Sequence, residues 1–270
     1  DRSRPPPHYR PSLPDALPID APPASSGRPW LNAFRQQAQQ AFAALELPTQ
    51  QQETWKYTNI RTLSETAFSD APPPGATELA QASSAQQTQA LNLPHHRLTF
   101  IAGHFQPQLS QLGALSNGIK LMPLKQALEQ EQALIENHLG SAVKYPGQPF
   151  AALNSARLTD GVLLYLPADC QLSQPIHCLF YTPSDRHSHI SYPRLLIVLG
   201  PGAQAQLVEE YLGSSVPQAN TAAQFTCPLS EIILARDARL LHCKVLRERS
   251  EERRVGKGGG QTVVPRTVRR

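Results

Sequence analysis

Apolar residues recur along this chain in two rhythms, and the change of rhythm divides it. Trp30, Phe34, Ala38, Ala41, Phe42 and Leu45 fall at helical spacing, with Pro29 placed for a first turn. This predicts an amphipathic helix of about four turns. Leu121, Leu124, Leu128, Leu134, Ile135 and Leu139 repeat the helical rhythm, with Pro123 near the start and Gly140 just past the end. Between these stretches, Arg97–Phe105 and Gly118–Leu121 read as short strands, with a turn at Gly103 and a loop at Pro107. Pro146-Gly-Gln-Pro149 is a breaker, and from there on the pattern is that of strands.

Three segments of the second half share one pattern: Leu166-Pro-Ala-Asp169-Cys170-Gln-Leu172, Leu199-Gly-Pro-Gly202-Ala203-Gln-Ala205 and Leu234-Ala-Arg-Asp237-Ala238-Arg-Leu240. Each lies between two apolar runs: Leu163–Leu166 and Ile176–Tyr181, Leu195–Leu199 and Gln206–Leu212, Ile232–Leu234 and Leu240–Leu246. Asp169, Gly202 and Asp237 stand where a tight or left-handed backbone is needed, 33 and 35 residues apart. A fixed period of short strands predicts a stacked β architecture. With two strands per ~17 residues the period would be about two flattened coils. A jelly roll or cupin-like sandwich is the competing all-β reading.

Composition adjusts this picture. A chain of 270 residues with 26 prolines has room for one or two domains and for linkers. The Pro-rich, then Gln/Ser/Ala-rich stretch 70–90 reads as a linker. No apolar run approaches the ~18 residues of a membrane span, and no signal-peptide core is evident near the start, so a cytoplasmic protein is expected. The net charge of +4 is concentrated in residues 249–270, which carry +5, while residues 21–248 sum to −1. That body lacks the basic footprint of a nucleic-acid binder. Residues 1–20 and 249–270 have no periodicity and are expected to be disordered. Ser12–Ile19 and Arg249–Gly258 resemble translated sequencing-adapter DNA, so both termini are expected to be foreign to the protein.

Candidate chemistry is sparse. His187 and His189, with His177 nearby in sequence, are a possible metal-ligand set for a small enzyme on a cupin-like barrel. Asp185-Arg-His-Ser-His189 also reads as a polar loop between strands, and this reading is preferred. His242 and Cys243 are adjacent, so a strand would point them to opposite faces, one of them into the core. The same alternation separates Glu209 from Glu210 and speaks against a two-carboxylate mechanism; an exposed charged strand face is expected there. Gly200-Pro-Gly202 lacks the Gly-Lys-Ser/Thr ending of a phosphate loop. Cys170, Cys178, Cys227 and Cys243 have no CxxC spacing and read as reduced, half-buried thiols.

Four stretches carry a family resemblance: Glu53–Leu63 (ETWKYTNIRTL), Arg97–Leu112, Phe150–Tyr181 (F-x-x-L-N-x-A followed by D-G-V) and Tyr192–Gly213. They resemble the SufD subunits of the SufB–SufC–SufD iron–sulfur cluster assembly machine. SufB shares the P-R-x-x-I-x-x-G-x-x-A portion; the W-K-Y-T portion favours SufD. The motif residues are Trp55, Lys56, Tyr57, Asn154, Asp160, Gly161, Pro193, Arg194, Gly202 and Asp237. The resemblance covers about residues 29–248 and implies a mixed fold, with an α N-terminal region before a right-handed parallel β-helix. The expected division is a helical region with short strands over 21–149 and the start of the β-helix over 150–248. Only the early coils are expected here, and the piece alone is expected to aggregate at its open end. The resemblance further implies a non-catalytic scaffold that pairs with SufB and works with the SufC ATPase. No cofactor or metal site is expected in this fragment, the cluster being handled by the whole complex.

Overall fold

The structure, a computed structural model, describes residues 27–58, 60, 63, 65–88, 93–116, 118–214 and 222–248. The terminal segments 1–20 and 249–270, expected to be disordered, lie outside the described residues.

Helix α1 (Pro29–Ala43) has Pro at its start, as the sequence predicts, and buries Leu31, Arg35, Ala38 and Phe42 along one stripe. A single 3₁₀ turn, Glu53–Trp55, leads to strand β1 (Ser69–Asp70). The stretch read as a linker contains helix α2 (Ala76–Thr88). Its Ala and Gln content favours helix, and Ala82 is fully buried beside Ile101, Leu179, Tyr181 and Leu212. Strands β2 (His96–Ile101) and β3 (His104–Phe105) form the hairpin around Gly103, and β4 (Lys120–Pro123) follows.

The second helical stretch is two helices, α3 (Leu124–Gln130) and α4 (Gln132–His138). The break is Glu131, at φ −127° and ψ 38°, whose carboxylate is held 2.5 Å from Lys120 Nζ. An unforeseen helix, α5 (Pro149–Ala156), is buried along its whole length; Pro149 starts it rather than merely breaking the chain.

The β region comprises β5 (Gly161–Leu166), β6 (Ile176–Thr182), β7 (His189–Ser191), β8 (Arg194–Leu199), β9 (Gln204–Gly213), β10 (Gln224–Thr226), β11 (Leu229–Leu234) and β12 (Arg239–Arg247). These join three sheets with orders β1-β7-β10, β11-β8-β5-β4 and β12-β9-β6-β2-β3. Gly161 pairs with Arg194 and Arg194 with Leu229, both in parallel. Between β5 and β8 the chain places β6 in the five-stranded sheet and β7 in the three-stranded one. One period of the sequence is therefore one circuit through three sheets, not two coils of two strands. The third strand was hidden because β7 and β10 are only three residues long and lie in polar sequence. Parallel ladders among β5–β12 also replace the cupin-like alternative, whose sandwich is antiparallel.

Asp169, Gly202 and Asp237 have φ of 58°, 70° and 61°. The turns stack through Asp169 N–H to Pro201 O (2.7 Å) and Gly202 N–H to Arg236 O (3.0 Å). Between the two larger sheets runs an apolar interior that includes Leu98, Val162, Leu164, Ile176, Leu195, Ile197 and Leu207. Phe100, Phe180 and Tyr211 stack in register within it, with centroids 5.1 and 5.0 Å apart. The outer face of the four-stranded sheet, with Leu163, Leu196 and Val198, packs with Leu31 of α1, Leu124 of α3 and Ile135 of α4. The three sheets end on β10, β11 and β12, and the opposite edges of the two larger sheets are closed by antiparallel β3 and β4. No helix among the described residues is long and apolar enough to cross a membrane.

Candidate functional site

Asn154, Asp160, Gly161, Pro193 and Arg194 converge on one buried junction, while the motif residues Gly202 and Asp237 lie in the stacked turns. Helix α5 turns Asn154 inward, where its Nδ2 donates to the Pro193 carbonyl at 3.0 Å and the Cys227 carbonyl at 2.8 Å. Arg194 Nη1 donates to Asn154 Oδ1 and Ser155 Oγ, each at 3.1 Å, and its Nη2 to Glu231 Oε2 at 2.6 Å. Glu231 also accepts the backbone N–H groups of Gly140 (3.0 Å) and Ala142 (2.9 Å), just beyond α4. Asp160 Oδ1 accepts the N–H of Lys125 at the start of α3 (2.9 Å) and of Gly161 (2.8 Å). Burial pushes the Asp160 carboxyl up, against the pull of these two N–H bonds. A side chain at Gly161 would place Cβ 1.8 Å from the Arg194 carbonyl oxygen, so the parallel pairing of β5 with β8 requires glycine.

This junction binds helices to sheets, with Asn154, Ser155, Arg194 and Glu231 all buried. The cleft beside it, lined in part by Val143, Gln148, Ser230 and Glu231, offers about 10 Å³, roughly the room of one water molecule. The W-K-Y segment divides by face. Trp55 packs on Phe150 with centroids 5.7 Å apart. Lys56 Nζ lies 5.7 Å from the Tyr57 ring centroid, and Tyr57 is 81% exposed.

A second polar cluster lies inside the stacked sheets near their last strands. Glu209 is fully buried, not exposed. It accepts from Tyr211 Oη (2.6 Å), Ser230 Oγ (3.0 Å) and Lys244 Nζ (2.7 Å), and pairs with His242 Nε2 (2.7 Å). Burial pushes its carboxyl up, but the bonds from His242, Lys244 and Tyr211 and the Lys244 charge bring it down to about 2. Glu210, also buried, faces the other way to His177 Nε2 (2.9 Å) and Arg247 Nη1 (3.3 Å). The two carboxylates alternate as the sequence predicts, but the expected exposed face is an interior one: Leu207-x-Glu209-x-Tyr211 places the Glu209 carboxylate on the apolar side. His242 faces this interior and Cys243 is exposed, as alternation requires. All four cysteines are free, and burial pushes the thiols of Cys178 and Cys227 well above their usual range.

The three candidate metal-ligating histidines do not meet. His177 is taken up by Glu210 and lies edge-on to His95. His187 and His189 instead share a cluster with Asp185 at the start of β7, their ligand atoms within 4.8 Å of one another.

Residues 24–178, more than half of the chain, match the model of the SufBD protein N-terminal region. The chain belongs to the SufBD family. It is 30% identical over 217 residues to the iron–sulfur cluster assembly SufBD family protein slr0076 of Synechocystis, covering 79% of this chain and 47% of that protein. It is 28% identical over 128 residues to SAUSA300_0822 of Staphylococcus aureus, another iron–sulfur cluster assembly SufBD family protein, covering 47% of this chain and 26% of that one. The chain thus spans about half the length of the first relative and about a quarter of the second. Within the SufBD N-terminal match lie Trp55, Lys56, Tyr57, Asn154, Asp160 and Gly161, while Pro193, Arg194 and Glu231 lie beyond it. Sequence reading singled out Arg194 but missed Glu231, because nothing local marks it as the partner of a residue 37 positions away.

Proposed function

We propose that this chain is the early part of a SufD-type subunit: a non-catalytic scaffold for iron–sulfur cluster assembly that pairs with SufB and is worked by the SufC ATPase in the cytoplasm. Membership of the SufBD family carries this reading, and the W-K-Y-T segment inside the matched region favours SufD over SufB. The relatives are named for iron–sulfur cluster assembly. Supporting it, the motif residues Asn154 and Arg194 serve to join helix α5 to strands β8 and β11. The circuits through three sheets fit the first turns of a right-handed parallel β-helix, which would continue from the edges at β10, β11 and β12. In that arrangement the nascent cluster is the cargo of the complete assembly rather than a resident group of this region. Co-expressing the full-length gene with SufB and SufC tests the proposal. A stable complex that co-purifies with all three subunits is expected; a protein that never associates with SufB or SufC would remove it.

A further inference from the structure

We propose that Asp185, His187 and His189 form a surface site for one divalent transition-metal ion of the zinc class. Asp185 Oδ1 lies 3.4 Å from His187 Nδ1, and Asp185 Oδ2 lies 3.2 Å from His189 Nε2. Bonds of 2.0–2.1 Å at tetrahedral angles separate ligand atoms by about 3.3 Å. Each imidazole nitrogen already stands at about that distance from one oxygen of the Asp185 carboxylate, and with one ligand atom per residue the three lie within 4.8 Å of one another. Two imidazoles and one carboxylate are three of the four ligands of an open zinc site, leaving the fourth position to water.

The placement of the second ring nitrogen is a further observation. Ser69 Oγ, on the neighbouring strand β1, lies 3.0 Å from His189 Nδ1, so one ring nitrogen is held by a hydroxyl while the other, Nε2, faces the Asp185 carboxylate. A polar group that orients the ring from its far nitrogen is what metal-binding histidines commonly have.

The base of the site is held in place. Strand β7 is paired on one side with β1 and on the other with β10. The Asp185 carbonyl accepts from Ala222 N–H (2.8 Å), and Gln224 Nε2 donates to the His187 carbonyl (2.8 Å). Asp185 Oδ1 accepts the His187 N–H at 3.0 Å, which turns the carboxylate toward both rings. The sequence pattern Asp-x-His-x-His needs the third sheet to converge, which is why it reads as a plain polar loop when only two strands per repeat are recognised.

The test is titration of the metal-stripped, full-length protein with Co²⁺, following the visible absorption of the bound ion, then displacement by Zn²⁺. One equivalent with nitrogen–oxygen ligation is expected. His187→Ala removes a side chain that is 82% exposed, so folding is spared, and should abolish that equivalent. Ser69→Ala should weaken binding about 10- to 100-fold by releasing the His189 ring from its hydroxyl partner. Unchanged stoichiometry and affinity in His187→Ala would overturn the site. So would the absence of any Co²⁺ band in the parent protein. Thiolate-type absorption in the parent as the sole Co²⁺ signal, persisting in His187→Ala, would place the metal on cysteine and also overturn it.

Discussion

Arg194–Glu231 and Lys244–Glu209 are both ion pairs removed from water, but they sit at opposite ends of a scale of enclosure. The first has both side chains at zero exposure and ties four segments together: the loop after α4, helix α5, and strands β8 and β11. The second buries only its carboxylate; Lys244 and His242 keep 17% exposure and lie on β12, the last strand of its sheet. The interior column in which Glu209 stands runs Leu98, Cys178, Glu209, Lys244 from strand to strand, becoming polar as the stack proceeds. A sealed pair acts as a joint because each partner would be stranded without the other. A pair near an edge can exchange protons with solvent, and it should answer to pH.

The sharpest test of this contrast is to break the sealed pair. Arg194→Met or Glu231→Leu alone should cost the full-length protein about 3–5 kcal/mol in denaturant unfolding, while the two together should recover most of that loss. If the double variant is no better than either single one, the pair is not the element that matters at the junction. Next in size is Gly161→Ala, which pushes Cβ into the Arg194 carbonyl and should cost about 3 kcal/mol through displacement of β5 from β8. A cost below about 1 kcal/mol would mean the junction adjusts more freely than its hydrogen bonds suggest.

Glu209→Gln should cost about 1–3 kcal/mol at neutral pH, since the donors around it lose a charged acceptor. Its folded carboxyl stands at about 2 against an ordinary 4.5. The stabilisation is therefore complete above pH 4.5 and is lost as pH falls toward 2. Urea midpoints measured across that window should fall less steeply in Glu209→Gln than in the parent; equal slopes would contradict the assignment. The smallest effects belong to the turns. Asp237→Gly should change stability by no more than about 0.5 kcal/mol, because relief of the left-handed backbone is offset by glycine's added chain entropy. Asp237→Val should cost about 1–2 kcal/mol at the same position.

Several of these features could be read in advance, for local reasons. Apolar spacing placed α1, the β2–β3 hairpin and the six longer strands from β5 to β12, because one face of each must leave water. Asp169, Gly202 and Asp237 were legible as left-handed positions because few residues tolerate that backbone. The errors were failures of long-range pairing. Helix α2 was mistaken for a linker because Ala, Gln and Ser offer no strong apolar stripe, and its burial is supplied by a sheet assembled from residues far along the chain. Glu209 was assigned to the surface because a charged residue defaults outward, and its four partners stand 2 to 35 positions away.

The sequence by itself determined the repeat length, helix α1, the longer strands and the turn residues, since each of these is written in the spacing of a short stretch, and its motifs carried the family resemblance. The tertiary structure alone decided that one period makes a circuit of three sheets. It alone decided that Arg194 meets Glu231, that Glu209 faces inward with His242 and Lys244, and that His187 and His189 join Asp185 rather than His177. The reason is physical: a buried charge persists only where other segments supply its partners, and chain closure, not local propensity, brings those segments together.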